Sequence, residues 1–189
     1  MKKITFLLFL NLVFLYTSSA QNFIAIPDSG AKWINYNFSY PPSTPQSFYY
    51  IYTTNGTDTL INNINYFKLM RNVNGPYYGA MRNDSGKVFL LPKDSIYEYI
   101  VYDFTANTGD TIFNVYEDGG FYTFYGGVVD VVVQSVSTIN LGDGIIRRTI
   151  QTTNGPIWIE GMGSTKGLFA EDRGNVSNYD GYLNCFSVG

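Results

Sequence analysis

Ile34, Tyr36, Phe38 and Tyr40 alternate with Asn35, Asn37 and Ser39. That two-residue period marks a half-buried strand, because successive side chains of an extended chain leave on opposite faces. Similar apolar, β-favouring runs return at 48–54, 66–70, 77–82, 88–91, 97–104, 111–115, 128–137, 145–152 and 157–159, and none contains proline. Seventeen Tyr and fourteen Phe, with many Val, Ile and Thr, suit a pleated surface, while Ala, Leu and Glu are too sparse to build helices.

The runs are separated by turn-forming residues: Asn55-Gly56, Asn62-Asn63, Asp84-Ser85-Gly86, Asn107-Thr108-Gly109-Asp110, Asp118-Gly119-Gly120 and Gly142-Asp143-Gly144. Such short connections favour antiparallel neighbours, since a parallel crossover needs about a dozen residues or more. The expectation is an all-β chain: a single antiparallel meander of roughly nine to eleven strands, closed as a barrel or folded as a sandwich. Asn74-Gly75-Pro76 and Asn154-Gly155-Pro156 each precede a strand start. They read as one good turn used twice rather than as a repeat. The proline-rich stretch 41–45 reads as a surface loop.

The N-terminus reads as an export signal. Lys2 and Lys3 precede an apolar run from Ile4 to Tyr16, and Ser18-Ser19-Ala20 supplies small residues for cleavage before Gln21. At about 13 residues the run is too short to span a bilayer, and no later segment suggests a transmembrane helix. A signal peptide at 1–20 and one β-rich domain at 21–189 follow, with a secreted or extracytoplasmic location. Removing the leader takes two of the 12 basic groups and none of the 15 acidic ones, which leaves a net charge of −5. Arg147-Arg148 is then the only adjacent basic pair, so nucleic acid is not an expected partner. One cysteine, Cys185, rules out an intrachain disulfide; between Leu183 and Phe186 it is expected to be a buried, inert apolar residue.

The series Gly56-Thr57-Asp58-Thr59, Tyr66-Phe67-Lys68-Leu69, Tyr78-Gly79-Ala80-Met81-Arg82-Asn83-Asp84-Ser85-Gly86-Lys87-Val88, Tyr102-Asp103-Phe104, Gly109-Asp110-Thr111 and Trp158-Ile159-Glu160-Gly161-Met162-Gly163-Ser164 with Gly167-Leu168 resembles a group of uncharacterised secreted Bacteroidota proteins. Many members of that group carry a C-terminal type IX secretion sorting domain. The resemblance spans roughly Trp33 to Phe186 and implies export but no activity. Past Phe186, where a linker and sorting domain would begin in that group, this chain ends at Gly189. The expectation is a free-standing or shortened version of the β-rich region.

No catalytic or binding constellation stands out. Without histidine, the Ser-His-Asp and Cys-His nucleophile systems and histidine-bound zinc are impossible. Carboxylate chemistry remains open as a glycoside hydrolase alternative through Glu98, Asp103, Glu117, Asp118, Asp130 or Glu160, with Glu160 beside Trp158 the best single candidate. The plainer reading makes Trp158 core and Glu160 an ordinary strand-end charge. Gly161-Met162-Gly163-Ser164-Thr165-Lys166-Gly167 lacks the spacing of a phosphate loop. Asp118 and Asp143 lie in glycine turns without calcium-loop spacing, so neither metal nor cofactor is expected. The favoured function is a non-catalytic binding or adhesion module for glycans or a cell-surface protein, since tyrosine and tryptophan rings stack on sugars. A structural or assembly domain of the cell envelope is the alternative.

Overall fold

The computed structural model describes residues 22–39, 46–72, 75–117, 127–153, 155–169 and 179–189. The segments expected to form a leader at 1–20, a surface loop at 41–45 and a turn at 118–120 lie outside them. Twelve strands are found in the described residues: β1 Ser29–Ser39, β2 Gln46–Ile61, β3 Ile64–Arg71, β4 Tyr77–Asp84, β5 Lys87–Pro92, β6 Tyr99–Asp103, β7 Thr111–Glu117, β8 Gly127–Asn140, β9 Ile146–Thr152, β10 Ile157–Ile159, β11 Gly163–Ser164 and β12 Tyr179–Val188. They form one sheet in the order β11 through β1 and then β12, curled into a barrel that is nearly closed, with its seam between β11 and β12. The chain is all-β, as its alternation requires.

Alternation places the core inside the barrel. Trp33, Tyr52, Leu69, Met81, Leu90, Tyr102, Ile150 and Trp158 are all essentially inaccessible, each from a different strand. Backbone hydrogen bonds bracket both glycine-proline pairs, with different spans. Arg71 N–H reaches the Pro76 carbonyl and Gly75 N–H the Asn72 carbonyl, while Thr152 reaches Pro156 and Gly155 reaches Thr152. Asn62-Asn63, Ser85-Gly86 and Gly142-Asp143-Gly144 are hairpin turns as expected.

Four local expectations are corrected. Asn55-Gly56 does not end a strand: β2 runs through it with a register shift between Thr54 and Asp58. Gly56, at φ +70°, donates to the Asp28 carbonyl at 3.1 Å, so the residues act as a corner-turning bulge. β6 and β7 touch in parallel through the single pair Ile100 and Val115, because 104–110 runs back beside β8 instead of forming a hairpin. Gly109 N–H donates to the Val133 carbonyl, and Val133 N–H to that of Asp110. β12 was not legible, and it pairs with β1 along its length. Finally, Cys185 is exposed. It stands opposite Ile34 and beside the inward Phe186, so alternation faces it outward, and the extra β12 residue Asn184 shifts the alternation so that Leu183 packs against the core as well.

The seam is closed by side chains and by a single backbone hydrogen bond among those described. Leu183 N–H donates to the Thr165 carbonyl at 3.0 Å. Trp33 Nε1–H donates to the Met162 carbonyl at 2.6 Å, and Leu168 N–H reaches Asn35 Oδ1 at 3.4 Å. Leu168 and Phe169 then turn into the barrel, where the Phe169 ring meets Tyr52 and Tyr116 edge-on. The glycines at 161, 163 and 167 permit this close approach. At Gly167, φ +118°, a Cβ would lie 2.5 Å from Asn35 Nδ2.

Candidate functional site

Among the acids of the described residues, Glu160 is the most buried, at 4% exposure. Its Oε1 accepts Ile24 N–H at 2.9 Å and its Oε2 accepts Arg148 N–H at 3.0 Å. It therefore ties the segment before β1 to β9. The same segment is held by Asn83, which exchanges hydrogen bonds of 3.0 and 2.9 Å with the Ile26 backbone, and by Thr54, whose hydroxyl donates to the Pro27 carbonyl. Both oxygens of Glu160 are engaged by backbone donors, and Trp158 is core.

The remaining acids are spread around the barrel. Glu98 takes a forked contact from Arg82 at 2.7 and 2.8 Å. Burial pushes its carboxyl up, but the Arg82 guanidinium and the Tyr66 hydroxyl outweigh that and hold it below its ordinary value. Asp103 pairs with Lys87 at 3.0 Å and accepts the Thr105 N–H. Asp130 accepts the Asn114 N–H at 3.0 Å. Glu117 is buried at the end of β7, and Asp118 lies outside the described residues. No group of three metal-ligating side chains occurs among the described residues.

Where β6 and β7 diverge, a cleft of about 410 Å³ opens, with Lys87, Asp103, Asp110, Ile100, Ile112 and Phe113 among its lining residues. Its charged groups are largely used internally: Lys87 and Asp103 bind each other, and Asp110 caps Asn107 N–H at 2.8 Å.

The outer face of β12, β1 and β2 is different in kind. Tyr182, Tyr36 and Tyr49 are directly opposite one another on the three strands. Their ring centroids lie 5.2 and 5.0 Å apart, close to the spacing between strands. Tyr49 and Tyr182 are 56% and 47% exposed, with Tyr36 partly covered between them. Interplanar angles of 45° and 56° make the strip twisted rather than flat. The next outward row is Cys185, Ile34 and Ile51, and beyond it come Ser187, Lys32 and Thr53. An apolar platform is thus bordered on one side by two hydroxyls and an ammonium.

Alternation predicted that Ile34 and Tyr36 would share a face. It could not bring Tyr182 beside them, because that neighbour comes from the other end of the chain. No family model, curated protein or solved structure matches this chain.

Proposed function

We propose that the chain is an exported, non-catalytic binding module that takes a glycan chain on the tyrosine strip of β12, β1 and β2. Three rings in one row, bordered by hydroxyls and a lysine, carry the reading. Ring faces stack on the apolar faces of sugars, and polar neighbours then bind the sugar hydroxyls. The twist of the strip suits one glycan chain rather than a flat crystalline surface. Export rests on the leader at 1–20 and on the resemblance to secreted Bacteroidota proteins.

The internal engagement of Glu160, Glu98 and Asp103 favours binding over glycoside cleavage. A screen of the exported protein against a glycan array, repeated with Tyr36→Ala/Tyr182→Ala, tests the reading. Binding lost in the double variant supports it. Binding unchanged in the folded double variant overturns it, and no binding to any glycan leaves the envelope-structural alternative.

A further inference from the structure

β8 continues past its support. Its ladder to β7 ends at Val132, and Val133 is held by Gly109 and Asp110. From Gln134 to Asn140 the strand pairs only with β9 among the described residues. β9 is backed in turn by β10 as far as Thr149, with Glu160 N–H reaching the Arg148 carbonyl, so only the tip beyond Thr138 is two-stranded, while the outer edge of β8 from 134 to 140 has no partner strand among the described residues. Its tip exposes Ile139, Leu141, Ile145 and Ile146.

Natural sheets guard free edges with charge, proline or inward-pointing polar groups. Between Asp130 and Asp143 this edge has neither a charged residue nor a proline. The only charges at the tip neutralise each other, since Arg147 forks onto Asp143 at 2.6 and 2.9 Å. A patch brought against its own copy must not repel itself, and this one carries no net charge on a chain that is otherwise acidic.

We propose that the free edge of β8 pairs antiparallel with the same edge of a second copy, around a two-fold axis near Thr138. Each copy then presents the same segment, as an isologous contact requires. Ser137 faces Ile139, Val136 faces Asn140 and Thr138 faces its own counterpart. The two sheets become one in the order β10, β9, β8, β8, β9, β10, and the outward backbone groups of 134–140 gain partners.

Sedimentation of the exported protein over a range of concentrations reads this directly. A monomer–dimer equilibrium is expected, and a monomer at every concentration overturns the proposal. Thr138→Lys sets two ammonium groups opposite each other, which weakens the dimer by roughly tenfold or more, because directly opposed like charges destabilise a ladder. A folded Thr138→Lys that dimerises as the unaltered protein does would refute the edge assignment. Thr138→Cys in a Cys185→Ser background gives a second readout that needs no disruption. Opposed Cα atoms lie within disulfide reach, so rapid covalent dimer formation under mild oxidation is expected. Its failure to form likewise overturns the pairing.

Discussion

The indole N–H of Trp33 donates to the Met162 carbonyl across the barrel seam at 2.6 Å. Trp158, equally buried, has no acceptor for its own indole N–H among the described residues. Truncating either tryptophan to alanine is expected to cost about 3 to 5 kcal/mol through lost packing. The milder change to phenylalanine separates them. Trp33→Phe removes a hydrogen bond and strands a carbonyl, so it costs about 1 kcal/mol more than Trp158→Phe. Paired urea titrations measure the difference, and equal losses would show that the Met162 contact contributes nothing.

Glu160→Ala strips an acceptor from the backbone N–H groups of Ile24 and Arg148 together. Hydrogen bonds to a charged group are worth about 1.5 to 3 kcal/mol each, so the loss is expected at about 3 kcal/mol or more. Residues before β1 should also become open to proteolysis, because their anchor is gone. Limited digestion followed by mass spectrometry checks this; a cut pattern identical to that of the unaltered protein would disprove it.

The tyrosines behave oppositely. Tyr49→Ala and Tyr182→Ala alter exposed side chains, so each is expected to move stability by less than about 0.5 kcal/mol while glycan binding falls. Thermal melts and binding titrations on the same samples separate the two effects. A large drop in melting temperature with binding intact would make the strip a structural device.

Acid sensitivity is set in part by Glu98. Its folded value is held below the ordinary 4.5, with Arg82 and Tyr66 prevailing over burial. A depressed carboxyl stabilises the fold above the unfolded value, and that stability is lost as pH falls through the folded value. The melting temperature is therefore expected to decline as the pH is lowered past 4.5, and Glu98→Gln should flatten the decline. An unchanged pH slope in the variant would assign the acid sensitivity to other carboxylates.

The strands of the barrel wall were legible because alternation and turn residues are local signals. Tyr66, Phe67 and Leu69, or Ile150 and Trp158, declare their burial within a few residues. β12 escaped because Asp180, Gly181 and Asn184 break its pattern, and only pairing with the distant β1 makes it a strand. The same non-local pairing creates the tyrosine strip. Asn55-Gly56 looked like a turn because a hairpin and a corner bulge both demand a residue of positive φ. Glu160 was singled out by its neighbour Trp158, yet the Ile24 and Arg148 backbone donors that define its role come from remote segments.

A barrel closed on one flank of β12 by a full ladder and on the other by a single described backbone hydrogen bond has a built-in place to start coming apart. Local opening there breaks few bonds, so its free energy lies well below that of global unfolding. Amide exchange should register this as a gradient. Protons of β12 leave early through partial opening, while those of β4 and β5, laddered on both flanks, wait for the whole wall to collapse. Fluctuation at the seam would briefly bare Leu168 and Phe169, making this junction a point of entry for heat or protease.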